Sequence, residues 1–169
     1  MRASRITIAI LGIALSAHAL SAQSQPFNNR KTSARATIAG SRDLYDGTFV
    51  ASNVSNTCGE VPAMMNFSGQ ASFIVEYPRD PQDSDQIQSI SFGSTKLVGK
   101  VTSTTSFLLN ISVLAKNGGR PYPYVLNTQD NDKVTGIATL TKNKNRSITL
   151  TIRGKNEAGE TIVLTITCA

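Results

Sequence analysis

The sequence has no tryptophan, and its single histidine, His18, lies in an N-terminal segment that we expect export to remove. A mature chain without imidazole cannot carry out Ser-His-Asp or Cys-His catalysis and cannot form the usual zinc or copper sites. Only two cysteines are present, and they are far apart in the sequence, so no CxxC redox motif occurs. These absences predict a protein that is not an enzyme and that needs no cofactor.

Long hydrophobic runs are also scarce, and the clearest one covers residues 6–15. Arg2 and Arg5 precede this run and small residues follow it, which is the pattern of a secretory signal peptide. About ten apolar residues are too few to cross a bilayer, which takes about 18 or more. We therefore expect a signal peptide at 1–22, cleavage after Ala22, a secreted or periplasmic protein and no transmembrane segment.

The charge of the mature chain is mildly basic. Two of the 17 Lys and Arg residues lie in the predicted signal, so cleavage lowers the formal net charge from +6 to +4. A charge of this size supports weak attraction to anionic surfaces and no nucleic-acid binding. The remaining chain, about 147 of the 169 residues, is long enough for one domain. We expect a flexible arm at 23–32 followed by a single domain at 33–169.

Cys58 and Cys168 are expected to form a disulfide. An even number of cysteines in an exported chain favours a bond between them. In the last segment Cys168 shares one face with Ile162, Leu164 and Ile166 by strand parity, so it should point into the core. The alternative is a pair of free thiols with a redox or metal-binding role.

Apolar residues recur with period two through most of the chain, which is typical of β-strands. We expect eight to ten strands, at 35–38, 47–52, 73–77, 88–92, 96–101, 107–113, 124–127, 134–141, 147–152 and 161–166. Turn residues such as Asn117-Gly118-Gly119 separate consecutive strands, so the sheet should be antiparallel. Strands of this number form a closed barrel or a two-sheet sandwich. The run of hairpins after residue 107 favours, by a small margin, a lipocalin-like barrel meander.

The tetrapeptide Asp46-Gly47-Thr48-Phe49, at the start of an expected strand, resembles the G-x-W/F opening of lipocalin-like and other calycin barrels. Those families carry Trp where this chain has Phe49. The resemblance covers four residues, and it implies a barrel whose apolar interior holds one small ligand.

Two groups of residues are candidates for ligand or partner binding. Phe107, Leu109, Ile111 and Val113 share a strand face and would line the interior of a barrel, where they could hold a small apolar ligand. Arg120, Tyr122 and Tyr124 alternate with two prolines that keep the backbone extended. Tyrosines presented in this way suit sugar stacking or a protein interface. The alternative is a strand entry whose tyrosines cover the end of the core.

Charged residues give three further hypotheses. Asp80, Asp83 and Asp85 form a weak calcium-binding candidate, for which the alternative is a solvated turn. Glu60 and Glu76 are the carboxylates that a glycosidase-like hydrolase would need. Lys142, Lys144 and Arg146, with Arg153 and Lys155, form a basic hairpin region that could meet an anionic surface or an acidic partner. We expect a binding protein for a small ligand first, an adhesion or interaction module second, and a hydrolase third.

Overall fold

The computed structural model describes residues 30–55, 57–65, 69–77 and 86–169. The predicted signal peptide, residues 23–29 of the predicted arm and the Asp80, Asp83 and Asp85 loop lie outside these ranges. The described residues form one short 3-10 turn, Ala63–Met65, and eleven strands, β1 Arg30–Ala39, β2 Gly47–Ser55, β3 Thr57–Val61, β4 Ser72–Tyr77, β5 Ile87–Ser94, β6 Ser103–Thr104, β7 Leu108–Leu114, β8 Pro121–Asn127, β9 Thr135–Lys142, β10 Ile148–Lys155 and β11 Thr161–Cys168.

The strands form two antiparallel sheets that share one hydrophobic core. The six-stranded sheet has the order β2-β1-β11-β10-β9-β6, and the five-stranded sheet has the order β3-β4-β5-β7-β8. The protein is therefore all-β and sandwich-like, and the expected preference for a barrel is not confirmed. The chain forms hairpins, as predicted, but it passes from one sheet to the other after β2, β5, β6 and β8 instead of continuing as one meander.

Buried and exposed residues alternate strictly along β1, and the buried ones lie on the face of the six-stranded sheet that packs into the core. In β1, Ala34, Ala36 and Ile38 are buried while their neighbours in the strand are exposed. Ala36 lies between Phe49 on β2 and Leu164 on β11. A small side chain in the central strand leaves room for the two large ones beside it, which keeps the core closely packed.

Two glycines allow Leu126 on β8 and Phe107, directly before β7, to touch the backbone of the six-stranded sheet. Gly136 on β9 and Gly154 on β10 lie opposite each other in the ladder. A Cβ at Gly154 would lie 2.7 Å from Cδ1 of Leu126, and a Cβ at Gly136 would lie 2.8 Å from Cζ of Phe107. A Cβ at either position would force a neighbouring atom to shift, so the glycine pair permits this close approach of the two sheets.

One predicted strand is wrong and several boundaries differ. Residues 96–101 form bends and a turn, because the Ser94 hydroxyl accepts the Lys96 N–H and the Val98 carbonyl accepts the Val101 N–H. The sequence analysis did not identify β3 or β6. Strand β1 begins at Arg30 and so includes the last three residues of the segment assigned to the arm. Strand β8 begins at Pro121, which an edge strand tolerates because one side of its backbone needs no donor.

The predicted disulfide is present. Cys58 on β3 is bonded to Cys168 on β11, with 6.4 Å between their Cα atoms and 110 residues between them in the sequence. Both cysteines are buried. The bond joins an edge strand of one sheet to an interior strand of the other, so it connects the two layers covalently.

We predict that replacing both cysteines, as Cys58→Ala with Cys168→Ala, lowers the free energy of unfolding by about 4–5 kcal/mol. The chain-entropy model gives this value for a closed loop of about 100 residues. Urea denaturation measures the change, and reduced wild-type protein should behave like the double variant. A loss below about 1 kcal/mol would contradict the assigned role of the bond.

We also predict that Gly154→Ala lowers the free energy of unfolding by about 1–3 kcal/mol, since the new methyl group collides with Leu126 and with the Thr135 carbonyl oxygen, each 2.7 Å away. Gly93→Ala is the matched control, because Gly93 also lies in a strand but its Cβ would meet nothing within 4 Å. The control should unfold at the same urea concentration as wild type or a higher one. Equal losses in the two variants would argue against close sheet contact at Gly154.

Candidate functional site

A group of aromatic and basic residues lies where the β1–β2 loop meets the start of β8. We call Arg42, Tyr45, Arg120, Tyr122 and Tyr124 the tyrosine cluster. The Tyr45 and Tyr122 ring centroids are 5.1 Å apart with a tilt of 37°, and Tyr124 packs edge-on against Tyr122 at 5.0 Å. The guanidinium carbon of Arg42 lies 5.9 Å from the Tyr122 centroid, within cation–π range.

Hydrogen bonds hold the cluster in one arrangement. The Tyr45 hydroxyl donates to the Arg120 carbonyl oxygen at 2.8 Å, which ties the β1–β2 loop to β8. The Tyr124 hydroxyl is 2.7 Å from the Ser41 hydroxyl oxygen. Burial raises the pKa of Tyr124 above its usual value, and the hydrogen bond with Ser41 opposes this shift. The loop itself is closed by the Gly40 N–H, which donates to the Asp46 carboxylate.

The three residues of the predicted interaction loop differ in how exposed their side chains are. Tyr124 is part of the core, as the alternative interpretation of the sequence had it, whereas Tyr122 is partly exposed and Arg120 is exposed. Arg42 and Tyr45, which were not predicted from the sequence, join Tyr122 at the surface. The sequence contained one signal for Tyr45, which is a tyrosine in a polar turn directly before Asp46-Gly47. Leu44 extends this surface with an apolar side chain that is 46% exposed.

The residues predicted to line a ligand cavity are core residues. Phe107, Leu109, Ile111 and Val113 are each 0–1% exposed and pack in one cluster with side chains of both sheets. The Phe107 ring contacts Phe92, with 5.8 Å between the centroids. An open groove of about 630 Å³ lies elsewhere, between residues 99–102 and 139–142, and none of the four residues lines it.

The structure does not bring the two glutamates together. Glu60 lies opposite the buried Phe73 in the ladder, whereas Glu76 lies opposite Thr57 and Ser91, so the two side chains start from opposite faces of the sheet. The Glu60 carboxylate accepts hydrogen bonds from Lys142 and from the Gly99 N–H. Glu76 accepts one from the Ser91 hydroxyl at 2.9 Å. This arrangement gives no facing carboxylate pair.

The described ranges contain no group of three or more His, Cys, Asp or Glu residues that could hold a metal ion. Asp80, Asp83 and Asp85, the calcium candidate, lie outside those ranges. Among the same described residues, no helix has the length and apolar character needed to cross a membrane.

No family model, no curated protein and no solved structure matches this chain. Among the candidate sites within the described residues, only the tyrosine cluster combines a fixed geometry with partly exposed aromatic rings and an adjacent cation.

We predict that Glu76→Gln raises the melting temperature at pH 7. Burial raises the pKa of the Glu76 carboxyl, against a smaller lowering by the Ser91 hydrogen bond. The folded protein thus keeps this proton at pH values where the unfolded chain has lost it, and its stability falls as the pH rises through the folded pKa. Glutamine removes this loss and can still accept the bond from Ser91, so the two proteins should melt alike at pH 3.

Glu60→Gln is the control, since Glu60 is exposed and loses its ion pair with Lys142 on substitution. It should not raise the melting temperature at pH 7. Thermal unfolding followed by circular dichroism at pH 3 and pH 7 measures all three proteins. A Glu76→Gln protein that melts no higher than wild type at pH 7 would contradict the burial effect.

Proposed function

We propose that this protein is an exported, non-enzymatic binding module that contacts a partner protein through the tyrosine cluster. The observation that carries the proposal is the pair of partly exposed rings, Tyr45 and Tyr122, held in a fixed arrangement beside Arg42. Tyrosine and arginine contribute most often to the strongest contacts in protein interfaces. Side chains that are already fixed lose little conformational entropy when a partner binds.

Three features favour a protein partner over a single sugar ring. The Tyr45 and Tyr122 rings are tilted by 37°, so they do not form one flat stacking platform. Leu44 adds an exposed apolar contact. Arg42, Lys116 and Arg120 are exposed in or beside the β1–β2 loop, whose exposed acidic residue is Asp43, so basic residues outnumber exposed acidic ones at the rim of the surface. A partner with an apolar centre and acidic residues around it would complement this surface.

Export is supported by the predicted signal peptide and by the buried disulfide, which forms and persists in oxidising compartments. A secreted or periplasmic location fits both. The small-ligand hypothesis has less support, because the side chains proposed to line a cavity are packed against one another. For the same reason the lipocalin-like interior is a weaker proposal than the loop surface.

We predict that a photo-reactive benzoylphenylalanine in place of Tyr122 cross-links to one discrete protein in the native host. The control is the same substitution at Lys144, which is exposed on the β9–β10 hairpin, at the end of the sheet opposite to the β1–β2 loop. An adduct at position 122 that is absent at 144 supports the proposal. No adduct at 122, or identical adducts at both positions, would refute it.

The purified partner then gives a quantitative test. Tyr122→Ala and Arg42→Ala should each weaken its binding at least tenfold, a loss of about 1.4 kcal/mol or more. Lys144→Ala should bind as wild type does. Circular dichroism melts confirm that each variant is folded. Unchanged affinity in both cluster variants would show that the partner binds elsewhere.

A further inference from the structure

The outer face of the six-stranded sheet carries an ordered array of threonines. Strands β9, β10 and β11 each contain a Thr-x-Thr sequence, and the ladders place the three sequences side by side. One row consists of Thr139, Thr151 and Thr165, and the next consists of Thr141, Thr149 and Thr167. We call these six residues, with Arg35 and Arg153 beside them, the threonine face.

The geometry of the threonine face follows from strand spacing. Neighbouring threonines are about 4.8 Å apart across the strands and about 6.7 Å apart along them. Branching at Cβ limits the rotamers of each hydroxyl, so the array is ordered before anything binds. Among the described residues, the hydroxyls of Thr139, Thr151 and Thr165 have no side-chain hydrogen bond to the protein. They are available to a ligand.

The charged residues in the strands of the six-stranded sheet are all basic. Its strands contain no Asp or Glu, and they carry Arg30, Lys31, Arg35, Lys142, Arg153 and Lys155. Only Lys142 takes part in an ion pair within the described part of the chain. The exposed Arg35 and Arg153 lie on either side of β11, opposite Thr165 and Val163, and strand spacing places their backbones about 12 Å apart.

We infer that the threonine face binds a carboxylated polysaccharide. Arginine recognises a carboxylate through two parallel hydrogen bonds. The hydroxyls of Thr165 and Thr151, which lie beside the two arginines, can donate to and accept from sugar hydroxyls. The outward positions of the six strands carry no aromatic side chain that could stack on nucleic-acid bases. The large apolar residues that are exposed on these strands, Val50 and Ile137, include no Trp, Phe or Leu of the kind that anchors a protein at a membrane surface. The face lies apart from the tyrosine cluster, so this inference does not depend on the proposed function.

The test uses polygalacturonic acid as the anionic probe and dextran as the neutral one, with binding measured by calorimetry at low and physiological salt. Wild-type protein should bind polygalacturonic acid, more weakly as salt rises, and should not bind dextran. Arg35→Ala with Arg153→Ala should weaken binding at least tenfold. Lys96→Ala with Lys144→Ala removes the same charge from exposed positions outside the sheet, and should stay within twofold of wild type.

A second pair of substitutions tests the hydroxyls. Thr151→Val with Thr165→Val keeps the β-branched shape and removes the two oxygens, so it should weaken binding several-fold and leave the salt dependence unchanged. Melting temperatures confirm that the variants are folded. Tyr122→Ala should bind polygalacturonic acid normally, which separates this inference from the proposed function.

Three results would overturn the inference. The first is no binding of polygalacturonic acid at low salt. The second is an equal loss of affinity in the arginine pair and in the lysine pair, which would show attraction by net charge alone. The third is binding to phosphatidylglycerol vesicles without binding to polygalacturonic acid, which would assign the face to a lipid surface.

Discussion

The contact between the two sheets is fixed by a covalent bond at one end and by two glycines nearer the other. Cys168 ends the interior strand β11, and its bond to Cys58 holds the edge of the five-stranded sheet against it. Gly154 lies nearer the opposite end of the same hairpin, where Leu126 reaches the backbone. Because the sheets are held at both ends, the strands that carry the exposed residues have little freedom to shift. The tyrosine cluster and the threonine face are both attached to this rigid frame.

Alternation along each strand separates the residues that stabilise the fold from those that are free to bind. In β11, Ile162, Leu164 and Ile166 fill the core, while Thr165 and Thr167 point the other way. The outer residues are therefore not constrained by packing, and any β-branched residue would serve the strand as well. That three adjacent strands place threonine at matching positions, in a sheet without acidic residues, is a feature that β-propensity alone does not require.

Sequence periodicity predicted most strands and the disulfide, because period two shows which side chains share a buried face. Cys168 was placed in the core in this way, and the structure confirms it. Periodicity does not show which strands become neighbours. It therefore cannot distinguish a barrel from a sandwich. The tight contact at Gly136 and the pairing of Tyr45 with Tyr122 join residues far apart in the sequence. Such contacts follow from the sheet packing and leave no local pattern.

The modest charge of the protein also limits how the threonine face can act. At physiological salt the Debye length is about 8 Å, which is shorter than the separation of about 12 Å between the backbones of Arg35 and Arg153. Each arginine therefore acts on a ligand mainly through direct contact, and long-range attraction adds little. Two such contacts on an exposed surface are weak, since exposed ion pairs contribute about 0–1 kcal/mol each. Useful affinity then requires the threonine hydroxyls beside them. It also requires a target that repeats the same contacts along its length, which is the property of a polymer.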